Sequence, residues 1–233
     1  MPTQSHADDH AGMKLRAAQR ALELVGPGMT LGLGSGSTAT LWIKLLGEKV
    51  RDHGLKIRAV ASSDDSERLG KSYGIPFVGF EQCRSLDLTV DGADEIAPGL
   101  ALIKGGGGKL LREKIVASAS KRFVIVADES KVVEKLGRFP LPVEVIPMAA
   151  PLVMDSLKKI GFTPAFRSKS DGTPYITDEG NLILDCTGLL MDNPGEIANK
   201  LDSMVGVVEH GLFLNMATSA IIAGEQRVVE RSS

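Results

Sequence analysis

Cysteine is scarce in this chain of 233 residues, which has only Cys83 and Cys186. Two such isolated thiols cannot form a disulfide framework or a cysteine zinc site, and both read as reduced. Histidine is nearly as sparse. His6, His10, His53 and His210 all fall outside the glycine-rich loops described below, which argues against histidine catalysis. Ser37 and Ser63 have no histidine partner in either loop, which disfavours a hydrolase triad. Neither sign of charge dominates. The 27 Lys and Arg balance 29 Asp and Glu for a formal −2, so nothing favours nucleic acid or an acidic membrane surface. No apolar run approaches the ~20 residues of a membrane span. Residues 1–10 are polar and acidic where a signal peptide would be basic and then apolar. The expectation is a soluble cytoplasmic protein with a frayed N-terminus.

What the chain does have is an alternation of short apolar runs with amphipathic stretches. Residues 13–25 carry Leu15, Ala18, Leu22 and Val25 at helical spacing and stop at Gly26-Pro27-Gly28. Residues 29–33 form a short strand entering a glycine-serine loop, beyond which Ala39, Trp42, Ile43 and Leu46 share one helical face. A second strand at 57–61 precedes a helix to about Tyr73, with Gly74 closing it. Strands at 86–90 and 123–127 bracket a helix at 110–119. This alternation predicts an α/β fold with a doubly wound, mainly parallel sheet.

The texture changes near residue 130. Three prolines within 139–147 predict a crossing segment or an edge strand. A helix at 151–160 ends at Gly161. Candidate strands follow at 164–167, 175–177 and 181–185, and Asp192-Asn193-Pro194 starts another helix. This part reads as a small α+β insertion. Residues 207–222 are expected to return to the main sheet. The division expected is a larger domain of residues 1–130 plus 206–233 and a smaller one of residues 131–205.

Two loops carry the chemistry. Residues 34–39, Gly-Ser-Gly-Ser-Thr-Ala, lie between a strand and a helix, where bare amides, positive potential and three hydroxyls suit a phosphate. The segment also fits a loose dinucleotide fingerprint, but that reading wants an acid about 20 residues on. Asp64 is 25 past Ala39, behind two serines, so a terminal phosphate fits better than a pyrophosphate. A purely structural turn stays open. Residues 104–113 read Lys-Gly-Gly-Gly-Gly-Lys-Leu-Leu-Arg-Glu. This is no Walker loop, because Leu110 stands where magnesium needs Ser or Thr, and Ile103 stands at the first glycine. Four consecutive glycines cost much entropy, which favours anion binding by their amides over a flexible connector. Lys104 adds a compact positive charge, and Lys109 is expected to be solvated. Asp91 and Asp94 end the strand at 86–90 and read as a turn cap, magnesium ligands or acid–base groups. Glu113 either complements a helix dipole or faces the same crevice as the glycines. Two acids, an amine, free amides and a third acid suit moving protons on a small oxygen-rich anion.

The segments GLGSGSTA (32–39), DLTVDGADEI (87–96), IKGGGGKLLREKI (103–115), VADESK (126–131) and PLPVEVIP (140–147), with GLF at 211–213, resemble ribose-5-phosphate isomerase of the A type. They run in family order from the first strand to near the end of the chain. The resemblance implies interconversion of ribose 5-phosphate and ribulose 5-phosphate in the non-oxidative pentose phosphate pathway. It implies a Rossmann-like domain bearing a ferredoxin-like one, a homodimer or dimer of dimers, and no cofactor; the sequence itself shows no metal-ligand cluster, so no metal is expected. By position, Ser35, Gly36, Ser37 and Thr38 match the family's substrate-binding loop. Asp91, Gly92, Ala93 and Asp94 match its D-G-A-D segment, and Lys104, Gly105, Gly106 and Gly107 its K-G-G-G segment. Glu113 falls on the catalytic base, Lys131 on a further substrate-binding lysine, and Lys14 on a lysine near the phosphate. Ser35 replaces the commoner Thr, and Lys109 stands where relatives usually carry a small residue, placing an extra charge at the pocket rim.

Overall fold

The computed structural model describes residues 4–232, with side chains from residue 10 onward. In chain order the elements are α1 (Gln4–Leu22), β1 (Thr30–Leu33), α2 (Gly36–His53), β2 (Arg58–Ala61), α3 (Asp64–Ser72), β3 (Leu88–Asp91), β4 (Glu95–Ile96), β5 (Leu102–Ile103), α4 (Leu110–Ser118) and β6 (Phe123–Asp128). They continue with β7 (Leu141–Val145), α5 (Ala150–Lys159), β8 (Thr163–Phe166), β9 (Leu182–Thr187), α6 (Pro194–Asp202), β10 (Val207–His210), β11 (Leu212–Phe213), β12 (Ser219–Ala223) and β13 (Val228–Ser232). Two compact units result. The larger holds residues 1–93, 112–131 and 215–233, and the smaller holds residues 94–111 and 132–214.

The larger unit is built on a six-stranded sheet in the order β13-β12-β6-β3-β1-β2. All neighbours are parallel except the edge pair β12–β13. Successive side chains of a strand point to opposite faces, so a sheet covered on both sides needs two apolar clusters. Both are present. Ala59 of β2 joins Leu31, Leu33, Leu88 and Val90 beneath Ala17, Ala18 and Ala21 of α1 and Trp42, Ile43 and Leu46 of α2. Its neighbour Val60 joins Leu86 and Val116 of α4 in the second cluster. Each fully buried side chain of this size stabilises by about 1.5–3 kcal/mol. Gly32 in β1 has a specific task. A Cβ there would strike Thr89 and come within 2.7 Å of Val116 Cγ1, so its absence lets α4 lie close on the sheet.

The smaller unit is antiparallel, with a four-stranded sheet β10-β7-β9-β8 and a three-stranded sheet β11-β5-β4. Val143 and Val145 of β7 and Leu184 of β9 pack with Val153 and Leu157 of α5 and Leu201 of α6. Burial pushes the Cys186 thiol up to about 12, so it is an inert part of this core. Cys83 and Cys186 are both free thiols.

The architecture departs from the expected one in identifiable places. Residues 94–111 and 206–214 belong to the smaller unit because β4 and β5 pair with β11, and β10 pairs with β7. Only β12 of the stretch 207–222 reaches the main sheet. The proline-rich segment is an interior strand, since β7 pairs with both β9 and β10. Pro142 is tolerated because β10 has ended at His210 on its missing-donor side, and the proline ring rests where Gly211 has no side chain. Residues 175–177 form a turn region with isolated bridges, not a strand. Helix α1 starts at Gln4, earlier than residue 13, because its first turns are polar and show no apolar period. Residues 1–3 of the N-terminus expected to fray lie outside the described residues.

Glu144 of β7 is a buried acid in this unit. Its Oε1 accepts from Thr177 Oγ1 at 2.8 Å and from Asn181 Nδ2 at 2.9 Å. Burial pushes the carboxyl above the ordinary 4.5; those two hydrogen bonds oppose the rise, and Glu179 and Glu209 add to it. The folded chain therefore holds this proton to higher pH than the unfolded chain. The resulting stability is present below about pH 4.5 and is lost as pH rises through the folded value. Glu144→Gln keeps the acceptor and removes the titration. Its Tm should gain on the unsubstituted protein as pH is raised from about 4.5 to about 7. A gap independent of pH in thermal melts would refute the assignment.

Candidate active site

The larger unit supplies the first group of residues. Its strand order reverses at β1, which lies between β2 and β3, and open α/β sheets bind ligands at the carboxyl edge of such a switch point. Asp91, the last residue of β3, is 1% exposed there. Its Oδ1 accepts from the Ser35 N–H at 2.9 Å and the Gly92 N–H at 2.7 Å. Gly34 makes this possible, because a Cβ on it would run into the Asp91 carboxylate and Cα. From the other side Ser66 Oγ donates to the Gly34 carbonyl at 2.6 Å.

Ser35 stands at the N-cap of α2, yet its hydroxyl does not cap the helix. It donates instead to Glu113 Oε1. Glu113, 5% exposed, is the only acid in the first turn of α4. It lies one turn before Val116, the residue seated over Gly32, and residues three apart share a helix face. The contact that fixes α4 on β1 thus also aims Glu113 at the loop after β1. Gly36 takes φ +88°, Ser37 is exposed and Thr38 is buried in the first turn of α2, which contains no acid. Gly92 and Ala93 follow Asp91 and are half-buried.

Lys131 ends a short turn after β6, half-buried. That turn is held by Asp128, whose Oδ1 accepts from the Ser130 N–H at 3.1 Å and from its hydroxyl. Because β6 neighbours β3 in a parallel sheet, Lys131 sits at the same edge as Asp91. Lys14 is half-buried in α1, and no hydrogen bond or ion pair joins it to the loop among the described residues.

The smaller unit supplies the second group. Lys104 is 2% exposed, with Nζ 5.5 Å from the centre of the Phe213 ring. Asp94 Oδ2 accepts from the Gly106 N–H at 2.7 Å. The glycine run is closely packed at three of its four positions. A Cβ on Gly105 would lie 2.7 Å from Leu110 Cβ, one on Gly106 would lie 2.6 Å from Asp94 Oδ1, and one on Gly108 would strike the Tyr175 ring. Gly107 alone faces open space. The loop is therefore a fixed piece of backbone with one open side, which the flexible-connector reading does not describe.

Comparison with known proteins now decides the family. The family model of ribose 5-phosphate isomerase A (phosphoriboisomerase A) matches residues 58–227. The chain belongs to that family. It is 47% identical over 225 residues to ribose-5-phosphate isomerase A of Roseiflexus castenholzii, covering 96% of each chain. It is 49% identical over 228 residues to the Nitrobacter hamburgensis enzyme of that name, covering 94% of this chain and 97% of the other. Among solved structures, a D-ribose-5-phosphate isomerase in complex with phospho-erythronic acid superposes with TM-score 0.92 at 35% identity, covering 95% of this chain and 98% of that one. Ribose 5-phosphate isomerase A from Methanocaldococcus jannaschii gives TM-score 0.91 at 38% identity, with 95% and 99% covered.

One expectation is corrected here. Lys109 is not solvated, since its Nζ pairs with Asp178 at 2.6 Å and both side chains are about 15% exposed. Sequence reasoning also missed Arg167, Tyr175 and Asp178, which contact the glycine loop from more than 58 residues away in the chain. Their turn-rich surroundings carry no motif, and the apolar period around 164–167 signals only a strand.

The two loops make opposite demands on a methyl group. Gly34→Ala overpacks against Asp91 and should cost about 1–3 kcal/mol. Gly107→Ala, at ordinary φ in open space, should stay within about 0.5 kcal/mol. Urea unfolding of both variants checks this, and equal costs would contradict the packing described.

Proposed function

We propose that the chain interconverts D-ribose 5-phosphate and D-ribulose 5-phosphate through an enediolate, with Glu113 as the base, in the non-oxidative branch of the pentose phosphate pathway. Family membership supports the reaction. The observation that carries the mechanism is the hydrogen bond from Ser35 Oγ to Glu113, which ties the acid to the loop whose amides suit a phosphate.

In this reading the phosphate rests on Ser35, Gly36, Ser37 and Thr38, with Lys131 and Lys14 adding positive charge. Asp91, with Lys104, exchanges protons with the furanose oxygens and opens the ring. Glu113 takes the proton from C2 of the open aldose, and negative charge develops on O1. Lys104 and the Gly107 amide stabilise that charge, in a loop of Gly105, Gly106 and Gly107 that Asp94 holds through the Gly106 N–H. Glu113 then returns its proton to C1, the O2 hydroxyl proton passes to O1, and a ketone remains at C2. Asp94 and Lys104 are assigned to the same substrate on the family resemblance and on chain continuity. Asp94 follows Asp91 by three residues, and Glu113 follows Gly108 by five. The protein needs neither cofactor nor metal in this scheme.

A positioned base contributes about 10²- to 10⁴-fold. Glu113→Gln should lower kcat by at least ~10² while ribose 5-phosphate binding changes little, and near-full turnover would remove Glu113 from the role. Turnover in D₂O should place solvent deuterium on C1 of ribulose 5-phosphate, and activity should survive EDTA. Loss of activity that returns only with added metal would favour a hydride shift.

The same resemblance supports a cytoplasmic homodimer or dimer of dimers. No helix among the described residues is long and apolar enough to cross a membrane. Ile146, Met148, Leu152 and Val205 leave apolar surface exposed on the smaller unit, as self-association requires. Sedimentation as a monomer at micromolar concentration would overturn the dimer.

A further inference from the structure

Behind the glycine run, on the side away from Asp94, stands a guanidinium that the proposed mechanism does not use. Arg167 Nη1 donates to the Gly105 carbonyl at 2.8 Å and the Gly106 carbonyl at 3.1 Å. Its remaining nitrogens grip the Asp185 carboxylate, Nε to Oδ2 at 2.9 Å and Nη2 to Oδ1. Tyr175 Oη donates to the next carbonyl, that of Gly107, at 3.2 Å.

In a trans peptide the carbonyl and the following N–H point in opposite directions. Two successive carbonyls converging on one Arg167 nitrogen therefore turn the Gly106 and Gly107 N–H groups outward together. The first holds Asp94 Oδ2, and the second belongs to the one glycine of the run with open space beside it. Successive N–H groups pointing into one concavity form an anion site. A cation bonded to the carbonyl of each peptide also polarises it, making its N–H a stronger donor.

We infer that Arg167 is a positioning residue for the isomerisation, holding the Gly105–Gly107 peptides so that the Gly107 N–H meets the oxygen that becomes negative in the enediolate. Tyr175 holds the third carbonyl to the same end. This rests on the reaction proposed above. Arg167 touches no substrate atom and acts on charge that exists only after proton removal, so its loss reads in kcat and hardly in KM.

The test is Arg167→Lys, which keeps the charge and the stem but loses the planar fork that spans Asp185 and two carbonyls at once. With folding verified by circular dichroism and a thermal melt, kcat for ribose 5-phosphate should fall at least ~10-fold while KM stays within ~3-fold. Tyr175→Phe removes only a hydroxyl at the surface and should lower kcat ~2- to 5-fold, again at constant KM. It decides the matter alone if the lysine variant does not fold. Unchanged kcat in a folded Arg167→Lys protein, or in Tyr175→Phe where only that variant folds, would overturn the inference. So would a rise in KM matching the fall in kcat/KM. Absence of isomerisation by the unsubstituted chain would instead refute the activity itself.

Discussion

The Asp91 carboxylate accepts two backbone N–H groups while almost wholly out of water, and the geometry of the larger unit's site follows from that interaction. A buried carboxylate left without donors is expensive, and each hydrogen bond to a charge contributes about 1.5–3 kcal/mol. The Ser35 amide is one of the donors, so the loop after β1 is drawn down onto the end of β3. Gly34 must then be glycine, because the chain passes where a Cβ would overlap Asp91. With its backbone so held, Ser35 turns its hydroxyl away from the helix it precedes and toward Glu113. One carboxylate thereby fixes the loop after β1 and, through it, the partner of the proposed base.

The glycine run of the smaller unit solves a related problem by other means. Its carbonyls are held from behind by Arg167 and Tyr175, and its Gly106 amide is held in front by Asp94. Lys109 and Asp178 close the far end of the run with a largely buried ion pair. Glycine is needed at three of the four positions because side chains stand where a Cβ would lie. Loss of conformational entropy at four such residues is offset by this enclosure, which is why the run is rigid although its composition suggests the opposite.

Much of this was legible in the chain itself. Short apolar runs alternating with helical periods indicate the parallel sheet, and the motif around Asp91 marks the end of β3. What escaped did so for physical reasons. β4, β5 and β11 have two residues each and cannot show a period, so the extent of the smaller unit was misread. Pro142 argued for an edge strand, but its missing donor lies where β10 has already ended. Arg167 and Asp178 join the glycine run only through tertiary contacts across dozens of residues, and no local pattern encodes such a meeting. Lys109 looked like a surface charge because its acidic partner lies 69 positions along the chain.

Two helix N-termini meet the loops of the larger unit, and the sequence treats them differently. α2 begins Gly-Ser-Thr with no acid in its first turn and no side-chain cap, so its positive end and first amides are left for a ligand's charge. α4 carries its own acid, Glu113, in its first turn. Exchanging these assignments would defeat both. An acid at the start of α2 would repel an anion from its amides, and an uncharged residue at 113 would leave no acid facing the loop. Ser35, which precedes one helix and bonds the acid of the other, joins the two N-termini directly. A sugar phosphate, anionic at one end and acidic at a carbon near the other, has the charges that the proposed division of labour calls for.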